Sequence, residues 1–404
     1  MKGVILKTVG IVAEYNPFHN GHAYHIQKAK EMTGADCAVV VMNGNYMQRG
    51  MPAFADKYTR TKMALAGGAD MVFELPVCFG LSSAEDFAFG SIALLNELGF
   101  IDTVCFGSEV GNIAKLLPFA RLFIEEPEEY RNMLTTLLKE GYGFPAAREQ
   151  AAMAFLQKNS EHASLSEENL LSMPNNLLGI EYIKALLRLS SNIEPFTIPR
   201  VGAGYHDNAV SGQTEFSSAT GIRGEYLKGN SSILQTAIPK ECRGFLEEAF
   251  THYRPLSPND FSEILYYTLR EHIGELNSYK DVSDDLADRM ENLLSDFRTT
   301  EQFASLLHTK QYTKSRIDRC LFQIILGIGK QSPENVPLRL LGLNPDFSFL
   351  LKGRDDIITR PAKAKEALTT DFFATDLYNY TIFKTSGYVI KQDFYHSPIV
   401  APKD

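Results

Sequence analysis

Short runs of β-branched and other apolar residues alternate with helical patterns through the first half of the chain. Buried strands are predicted where these runs occur, at Val4–Ala13, Asp36–Met42, Met71–Glu74, Thr103–Phe106 and Glu194–Ile198. Apolar positions at helical spacing predict the intervening helices near 20–33, 58–66, 83–98 and 145–158. This alternation is typical of an α/β fold with a parallel sheet, which binds ligands at the carboxyl ends of its strands.

The pattern changes after Asn230, where long amphipathic helices replace the strands. These helices are predicted near 240–250, 259–273, 283–295, 300–308 and 314–328. Strand-like segments follow at Phe347–Leu351 and Tyr388–Lys391. We therefore predict an α/β domain over residues 1–235 with a helical insertion at about 108–190, and a mainly α-helical C-terminal region over 236–404.

The composition indicates a globular protein of the cytoplasm. The 404 residues are 44% hydrophobic and contain no apolar run long enough to cross a bilayer. The sequence also has no charged-then-apolar leader at its N-terminus. Five cysteines are scattered without a C-x-x-C pair, so we expect buried free thiols, no metal site and no membrane partner.

The net charge of −9 is unevenly distributed along the chain. Residues 301–404 carry 14 basic against 11 acidic side chains, whereas residues 1–300 carry 26 against 38. The C-terminal basic residues form two clusters: Lys310, Lys314, Arg316 and Arg319, then Lys352, Arg354, Arg360, Lys363 and Lys365. A surface that binds nucleic-acid phosphates is one interpretation of these clusters. On the evidence of charge alone, a solvated helix face is the better interpretation.

A candidate phosphate site follows the first predicted strand, in Gly10-Ile-Val-Ala-Glu-Tyr-Asn-Pro-Phe-His-Asn-Gly-His22. Asn16 and Pro17 form a turn, and His19 and His22 lie about one turn apart at the start of the next helix. Free backbone N–H groups at a helix N-terminus bind phosphate, and two imidazoles add hydrogen-bond donors. Paired histidines also occur on ordinary helices and as metal ligands, but the metalloprotease spacing with an intervening Glu is absent.

This strand, turn, H-x-G-H and helix resemble the first motif of the nucleotidyltransferase superfamily, which shares its HIGH motif with class I aminoacyl-tRNA synthetases. Ser218-Ala219-Thr220-Gly221-Ile222-Arg223 resembles the second superfamily motif, Ser-Ser-Thr-x-Ile-Arg, with Ala219 in place of one Ser. The hydroxyls of this motif cap a helix or bind phosphate, and Arg223 is suited to bidentate phosphate binding. A plain helix cap with an exposed Arg223 is the alternative.

One family within this superfamily is similar over most of the first 235 residues. The segments that carry the resemblance are Glu14–His22, Asn43–Gly50, Phe73–Pro76, Phe106–Glu109, Pro174–Asn176 and Gly204–Asp207. They resemble the bacterial tRNA(Met) cytidine acetate ligases. The resemblance implies a Rossmann-like nucleotidyltransferase catalytic domain that forms acetyl-adenylate from ATP and acetate. It also implies acetyl transfer to N4 of the wobble cytidine in elongator tRNA(Met). The basic clusters then make residues 236–404 the expected tRNA-binding region.

The resemblance also implies a set of site residues. The expected ATP site comprises Val12, Ala13, Glu14, Tyr15, Asn16, Pro17, Phe18, His19, Asn20, Gly21, His22, His25, Gly107, Asn176, Arg200, Ser218, Thr220 and Arg223. His19 and His22 are the expected catalytic residues, which stabilise charge on the leaving pyrophosphate. ATP is expected to enter with Mg²⁺, and Tyr15 or Phe18 is a candidate for stacking on the cytosine.

The sequence leaves several points open. The superfamily often has a Lys after its second strand, whereas this chain offers Gln48, Arg49 and Lys57. A small-metabolite adenylyltransferase, or an acetate ligase acting on a protein thiol, would use the same ATP site without RNA. A non-catalytic module that binds nucleotide or tRNA is the other alternative. The basic clusters count against the first alternative, and the two intact motif regions count against the second.

Overall fold

An eight-stranded sheet lies at the centre of the structure, a computed structural model that describes residues 6–158, 170–200, 217–331, 333 and 335–402. Seven strands follow the order β10-β8-β5-β2-β1-β6-β7, and β9 pairs with β8 beside this path. The neighbours from β5 to β7 all pair in parallel, whereas β8 runs antiparallel to β5. The predicted α/β class with a mainly parallel sheet is therefore confirmed.

The strands of the first half agree with the apolar runs of the sequence. They are β1 Thr8–Ala13, β2 Cys37–Asn43, β3 Tyr46–Met47, β4 Met51–Pro52, β5 Met71–Leu75, β6 Thr103–Ser108 and β7 Glu194–Pro199. The C-terminal half adds β8 Leu338–Leu343, β9 Ile357–Ile358 and β10 Ile399–Val400. Strands β3 and β4 form a separate two-stranded hairpin.

Sixteen α-helices occur within the described residues. The first half contains α1 Asn20–Thr33, α2 Lys57–Ala66, α3 Val77–Gly80, α4 Ala84–Leu98, α5 Ile113–Glu125, α6 Glu128–Lys139, α7 Phe144–Gln157, α8 Pro174–Arg188 and α9 Ala219–Leu227. The second half contains α10 Ile233–Ala237, α11 Lys240–His252, α12 Ser262–Glu271, α13 Asp284–Asn292, α14 Thr300–Leu307, α15 Lys314–Ile325 and α16 Thr369–Ser386. None of the helices in these described ranges has the length and apolar character needed to cross a membrane.

Helices cover both faces of the sheet, and the alternation of side chains along β2 shows how. Val39 and Val41 pack in one apolar core with residues of α4, α5 and α8, whereas Ala38 and Val40 pack in another with residues of α1, α2 and α11. Successive side chains of a strand point to opposite faces, so a continuous apolar run fills both cores. Helices α12 to α16 contribute to a third core.

The sheet and its core continue beyond residue 235. Strand β8 pairs with β5, and Leu246 of α11 belongs to the same core as Val9 of β1. The predicted strands at 347–351 and 388–391 are wrong. Residues Pro345–Leu351 form a 3₁₀ helix instead, because Asn344 caps its first turn and Pro345 occupies its first position. Residues 388–391 have no regular secondary structure.

Candidate active site

His19 and His22 form a stacked pair at the N-terminus of α1. Their ring centroids are 3.7 Å apart, with an angle of 23° between the ring planes. His19 is the N-cap of the helix, and its Nδ1 accepts a hydrogen bond from the backbone N–H of Gly21 at 3.1 Å. The Nδ1 of His22 accepts one from the backbone N–H of His19 at 3.2 Å. The two side chains thus cap the helix reciprocally.

These caps fix where each imidazole carries its proton. A ring nitrogen that accepts a hydrogen bond is unprotonated, so each neutral ring carries its proton on Nε2. Burial, helped by the charge of Arg200, lowers the pKa of His19 to about 4. Burial also lowers the pKa of His22 well below its ordinary value, with contributions from His19, His25 and Arg200. Both rings are therefore neutral at pH 7 and keep an N–H donor at Nε2.

His25 and Arg200 lie on the side of the site nearest β6 and β7. The His25 Nε2 is 3.8 Å from the Sγ of Cys105 in β6, and burial with the Arg200 charge lowers the pKa of His25 to about 4. Arg200 follows β7 and donates a hydrogen bond to the Oδ1 of Asn175 at 3.0 Å. Its guanidinium is the positive charge that contributes to the lowered pKa of all three histidines.

The turn between β1 and α1 is structural rather than open to a base. Tyr15 has a positive φ of 48° and is 1% exposed, and Phe18 is fully buried. The expectation that either ring stacks on cytosine is therefore wrong, because both rings are buried and Phe18 and His22 pack edge-on against Tyr15. Asn16, which precedes a cis bond to Pro17, accepts a hydrogen bond from the Phe54 N–H at 2.7 Å.

The other residues of this segment frame the loop. Val12 and Ala13 are the partly buried last residues of β1, and Pro17 is buried. Asn20 donates to the carbonyl of Thr236 at 2.8 Å, which joins the start of α1 to the end of α10. Gly21 provides the N–H that His19 caps.

On the side of the site nearest β2, Glu14 lies among three arginines. Its Oε1 accepts a hydrogen bond from the backbone N–H of Gln48 at 2.7 Å. Burial raises the pKa of Glu14, although the Gln48 N–H and the charges of Arg223, Arg49 and Arg60 act against this rise. Arg49 is exposed, near the tip of the β3–β4 hairpin.

Arg60 and Lys57 of α2 are buried cations with structural roles that the sequence did not predict. Arg60 donates to the carbonyl oxygens of Glu14 at 2.8 Å and Asn43 at 3.0 Å, and also to Gly44, so it ties the ends of β1 and β2 together. Lys57 donates to Glu74 at 2.7 Å and to Asp393 at 3.0 Å. Lys57 is therefore enclosed, and of the open candidates after β2 only Arg49 is both cationic and exposed.

The side chain of Arg200 packs over Gly107 at the end of β6. A Cβ on Gly107 would lie 3.2 Å from the Arg200 Cγ, so a side chain here would crowd the arginine. Asn176 is 1% exposed, and its Oδ1 accepts from the Val110 N–H at 3.0 Å. It lies within the first turn of α8, whose N-cap is Met173.

Glu109 holds the start of α8 next to Arg200. Its carboxylate accepts hydrogen bonds from the backbone N–H groups of Asn175 at 3.2 Å and Asn176 at 2.7 Å, as expected for an anion at a helix N-terminus. Glu109 and Asn175 lie in motif segments that the sequence highlighted, but their pairing is a tertiary contact across 66 residues. No pattern along the chain predicts it.

The second motif opens α9, as the sequence predicts. Ser218 is its N-cap and accepts from the Gly221 N–H at 3.1 Å. Arg223 donates to the Asn16 carbonyl at 2.6 Å and to the Thr220 hydroxyl at 3.3 Å, so the motif contacts the turn that precedes the histidines. The motif segment Gly204–Asp207 lies outside the described residues.

The two basic clusters are only partly free. Arg316 donates to the Asp281 carbonyl, Arg319 pairs with the Asp281 carboxylate, and Lys314 pairs with Asp318. Arg354 donates to the carbonyls of Glu97 and Leu98 and pairs with Asp356. The remaining members are exposed: Lys310, Lys352, Arg360, Lys363 and Lys365.

The β3–β4 hairpin joins the first cluster to the candidate site. Gly50 has a positive φ of 78°, and a Cβ there would lie 2.3 Å from the backbone N of Arg319. The hairpin therefore packs tightly on α15, and it carries Arg49 and Gln48 next to Glu14.

Comparisons with known proteins show what this chain is similar to. The sequence model of the HIGH Nucleotidyl Transferase family matches residues 6–393. A tRNA(Met) cytidine acetate ligase of Thermoanaerobacter sp. (strain X514) is 39% identical, over 96% of this chain and 98% of the relative. That of Acetivibrio thermocellus is 37% identical, over 92% and 94%. The crystal structure of Thermotoga maritima TmcAL bound with alpha-thio ATP has a TM-score of 0.85 and 30% identity, over 98% of this chain and 99% of the other.

Proposed function

Because this chain belongs to the tRNA(Met) cytidine acetate ligase family, we propose that it activates acetate with ATP and acetylates N4 of the wobble cytidine in elongator tRNA(Met). The observation that carries the proposal is the pair His19 and His22. Each neutral ring has its Nδ1 occupied by a backbone N–H and its Nε2 proton free to donate, at the N-terminus of α1. Such a pair suits a polyphosphate.

In the first step, an oxygen of acetate attacks the α-phosphorus of ATP, and pyrophosphate leaves. Negative charge develops on the bridging oxygen of the leaving group. The Nε2–H donors of His19 and His22 and the guanidinium of Arg200 would stabilise this charge. Since both imidazoles are neutral, they act as hydrogen-bond donors and not as protonated imidazolium acids.

In the second step, N4 of the cytidine attacks the acetyl carbon, and AMP leaves. Acetate is unreactive toward an amine until adenylylation supplies AMP as a leaving group. The amine is itself a weak nucleophile because its lone pair is delocalised into the ring, so close positioning of the two reactants is needed.

The arrangement of the hairpin supports tRNA as the acceptor. Gly50 packs against Asp318 and Arg319, so the first basic cluster lies beside the hairpin that carries Arg49. An RNA whose phosphates contact this cluster would have its unpaired loop near the ends of β1 and β2. The exposed members of the second cluster would add further phosphate contacts.

We also propose that ATP enters with Mg²⁺ and that the reaction takes place in the cytoplasm, where tRNA is present. Mg²⁺ binds phosphate oxygens together with one or two protein carboxylates and water, so it needs few ligands from the protein. No group of three metal-ligating side chains occurs in the described part of the chain.

The proposal is tested by incubating the protein with ATP, radiolabelled acetate and bulk tRNA, followed by digestion of the RNA to nucleosides. We expect label in N4-acetylcytidine, and only when ATP is present. Acetate-dependent release of pyrophosphate without label in any nucleoside would instead favour an acceptor other than RNA. Total tRNA from cells that contain the modification serves as a matched control, because its wobble cytidine is already acetylated.

A further inference from the structure

The charged groups around the end of β1 are divided between its two sides. The histidines and Arg200 lie toward β6 and β7, as the contact of His25 with Cys105 shows. Glu14 lies toward β2, where it accepts from the Gln48 N–H. If the phosphates occupy the histidine side, then the β2 side is left for acetate and for the acceptor amine.

Glu14 forms no ion pair within 4 Å among the described residues, although the charges of Arg223, Arg49 and Arg60 act on its carboxylate. Arg60 donates to the carbonyls of Glu14, Asn43 and Gly44, and Arg223 donates to Asn16 and Thr220. Only the Oε1 of Glu14 accepts a hydrogen bond from a described residue, the Gln48 N–H at 2.7 Å. The Oε2 therefore keeps its acceptor capacity toward a ligand.

A carboxylate does not attract the ATP or acetate anions themselves. Glu14 also lies on the β2 side, away from the histidines where we propose that the phosphates and their Mg²⁺ bind. The reacting group that does gain from it is the amine, since N4 must lose a proton when it forms the amide. Resting on the proposed function, we propose that Glu14 is the proton acceptor for N4 of the cytidine in the transfer step.

The bond changes of this step balance. The N4 lone pair forms the N–C bond to the acetyl carbon, and the C–O bond to AMP breaks with its electron pair on the AMP phosphate. One N4 proton passes to the Oε2 of Glu14, which later releases it to water. Burial raises the pKa of Glu14 above its ordinary value, which makes its carboxylate a better base.

The test compares Glu14→Gln with the unchanged protein in the two half-reactions. Gln keeps a carbonyl oxygen for the Gln48 N–H, so the strand ends should keep their arrangement. Acetate-dependent exchange of pyrophosphate into ATP measures activation, and a single turnover with preformed acetyl-adenylate and tRNA measures transfer. Glu225→Gln, a change at a partly exposed carboxylate on α9, is the matched control.

We expect Glu14→Gln to slow transfer by about 10²–10⁴-fold, the range for a general base, and to slow activation much less. In the unchanged protein, transfer should rise with pH through the raised pKa of Glu14 and then level off. The groups facing Glu14 are the guanidinium groups of Arg49, Arg60 and Arg223 and the phenol of Tyr182, whose pKa burial raises further above its ordinary value. Glu14→Gln should lose this rise, and Glu14→Asp should retain it.

An equal fall in both half-reactions would overturn the assignment, because Glu14 would then serve ATP binding alone. Transfer by Glu14→Gln at the normal rate would overturn it as well. Failure of the unchanged protein to label tRNA, with acetyl-adenylate still formed, would refute the proposed function itself. Binding of ATP by Glu14→Gln, followed by fluorescence of a labelled analogue, shows that the variant is folded.

Discussion

Lys57 donates hydrogen bonds to both carboxylate oxygens of Glu74, at 2.7 and 2.9 Å, and both side chains are buried. Asp393 and Arg339 complete the cluster, with the Arg339 guanidinium 2.6 Å from Asp393 and 3.0 Å from Glu74. The cluster joins α2 and β5 of the first half to β8 and the 3₁₀ helix at 393–395. Lys57 therefore stabilises the fold through these buried ion pairs and is not available to bind a phosphate.

Lys57→Met should destabilise the protein by about 3–5 kcal/mol, because it removes one partner of a buried ionic cluster and leaves carboxylates short of a cation. The free energy of unfolding in urea measures this effect. Lys62→Met on the exposed face of the same helix is the control and should cost under about 0.5 kcal/mol. If the Lys57→Met protein were folded but did not bind ATP, Lys57 would have to be assigned to phosphate binding instead.

The catalytic and capping roles of His19 can be separated. His19→Asn keeps a side-chain oxygen that accepts the Gly21 N–H, so stability should change little. The variant has no Nε2–H donor, and acetate-dependent pyrophosphate exchange should fall by roughly 10²–10³-fold. His19→Ala should show the same fall in rate and also a decrease in stability of about 1 kcal/mol. Near-normal exchange by His19→Asn would remove His19 from the catalytic residues.

Stability should fall as the pH is lowered from 7 toward 4, in part because of these histidines. The pKa of His25 is about 4 in the folded protein against an ordinary value of 6.5. Between these values the unfolded chain binds a proton that the folded protein does not, so acid favours unfolding. Urea unfolding at pH 7, 6 and 5 should show a smaller pH dependence for His25→Gln than for the unchanged protein. An equal dependence would mean that His25 has the same pKa in the folded and unfolded states.

The sequence predicted the first half well because its strands are continuous apolar runs. It missed β8, where Arg339 interrupts the run Leu338–Leu343, since only the folded structure supplies the carboxylates that allow an arginine to be buried in a strand. It also missed α16. The inward face of that helix carries Asp371, Thr375 and Asn379, so burial and polarity do not separate along its sequence.

The candidate site was predictable only as far as motifs reach. His19 and His22 were identified because their spacing at a helix start carries local information. The roles of Arg60, Glu109 and Asn175 depend on tertiary contacts between strand ends and helix starts, which no spacing encodes. Charge alone also could not tell Arg354, which bonds to α4, from the exposed Lys363.

The packing of the hairpin on α15 should be sensitive to a single methyl group. Gly50→Ala places a Cβ about 2.3 Å from the Arg319 backbone N, at a φ of 78°. Gly353→Ala is the matched control, with a φ of 79° and nothing within 4 Å. Both changes introduce the strain of a positive φ, but Gly50→Ala should cost about 1–3 kcal/mol more, because backbone atoms must move. It should also slow acetate activation by displacing Arg49 and Gln48. Equal thermal stability of the two variants would show that the hairpin is free to shift.

The exposed basic residues can be replaced to test tRNA binding without an expected effect on folding. Lys352, Arg360, Lys363 and Lys365 are exposed, and no side-chain hydrogen bond or ion pair joins them to other described residues. If they bind phosphates, replacing all four with Gln should weaken tRNA binding and reduce its salt dependence. The log–log slope should become shallower by about 0.7–0.9 for each phosphate that is no longer neutralised.

Arg354→Gln is the control for that experiment, since the donors of Arg354 already bond Glu97, Leu98 and Asp356. It should lower thermal stability and leave the salt slope almost unchanged. Acetate-dependent pyrophosphate exchange needs no tRNA and reports whether each variant keeps a working first step. An unchanged salt slope in the fourfold variant would make this surface a solvated face. The exposed Lys310 of the first cluster would then be the next residue to test for contact with the tRNA backbone.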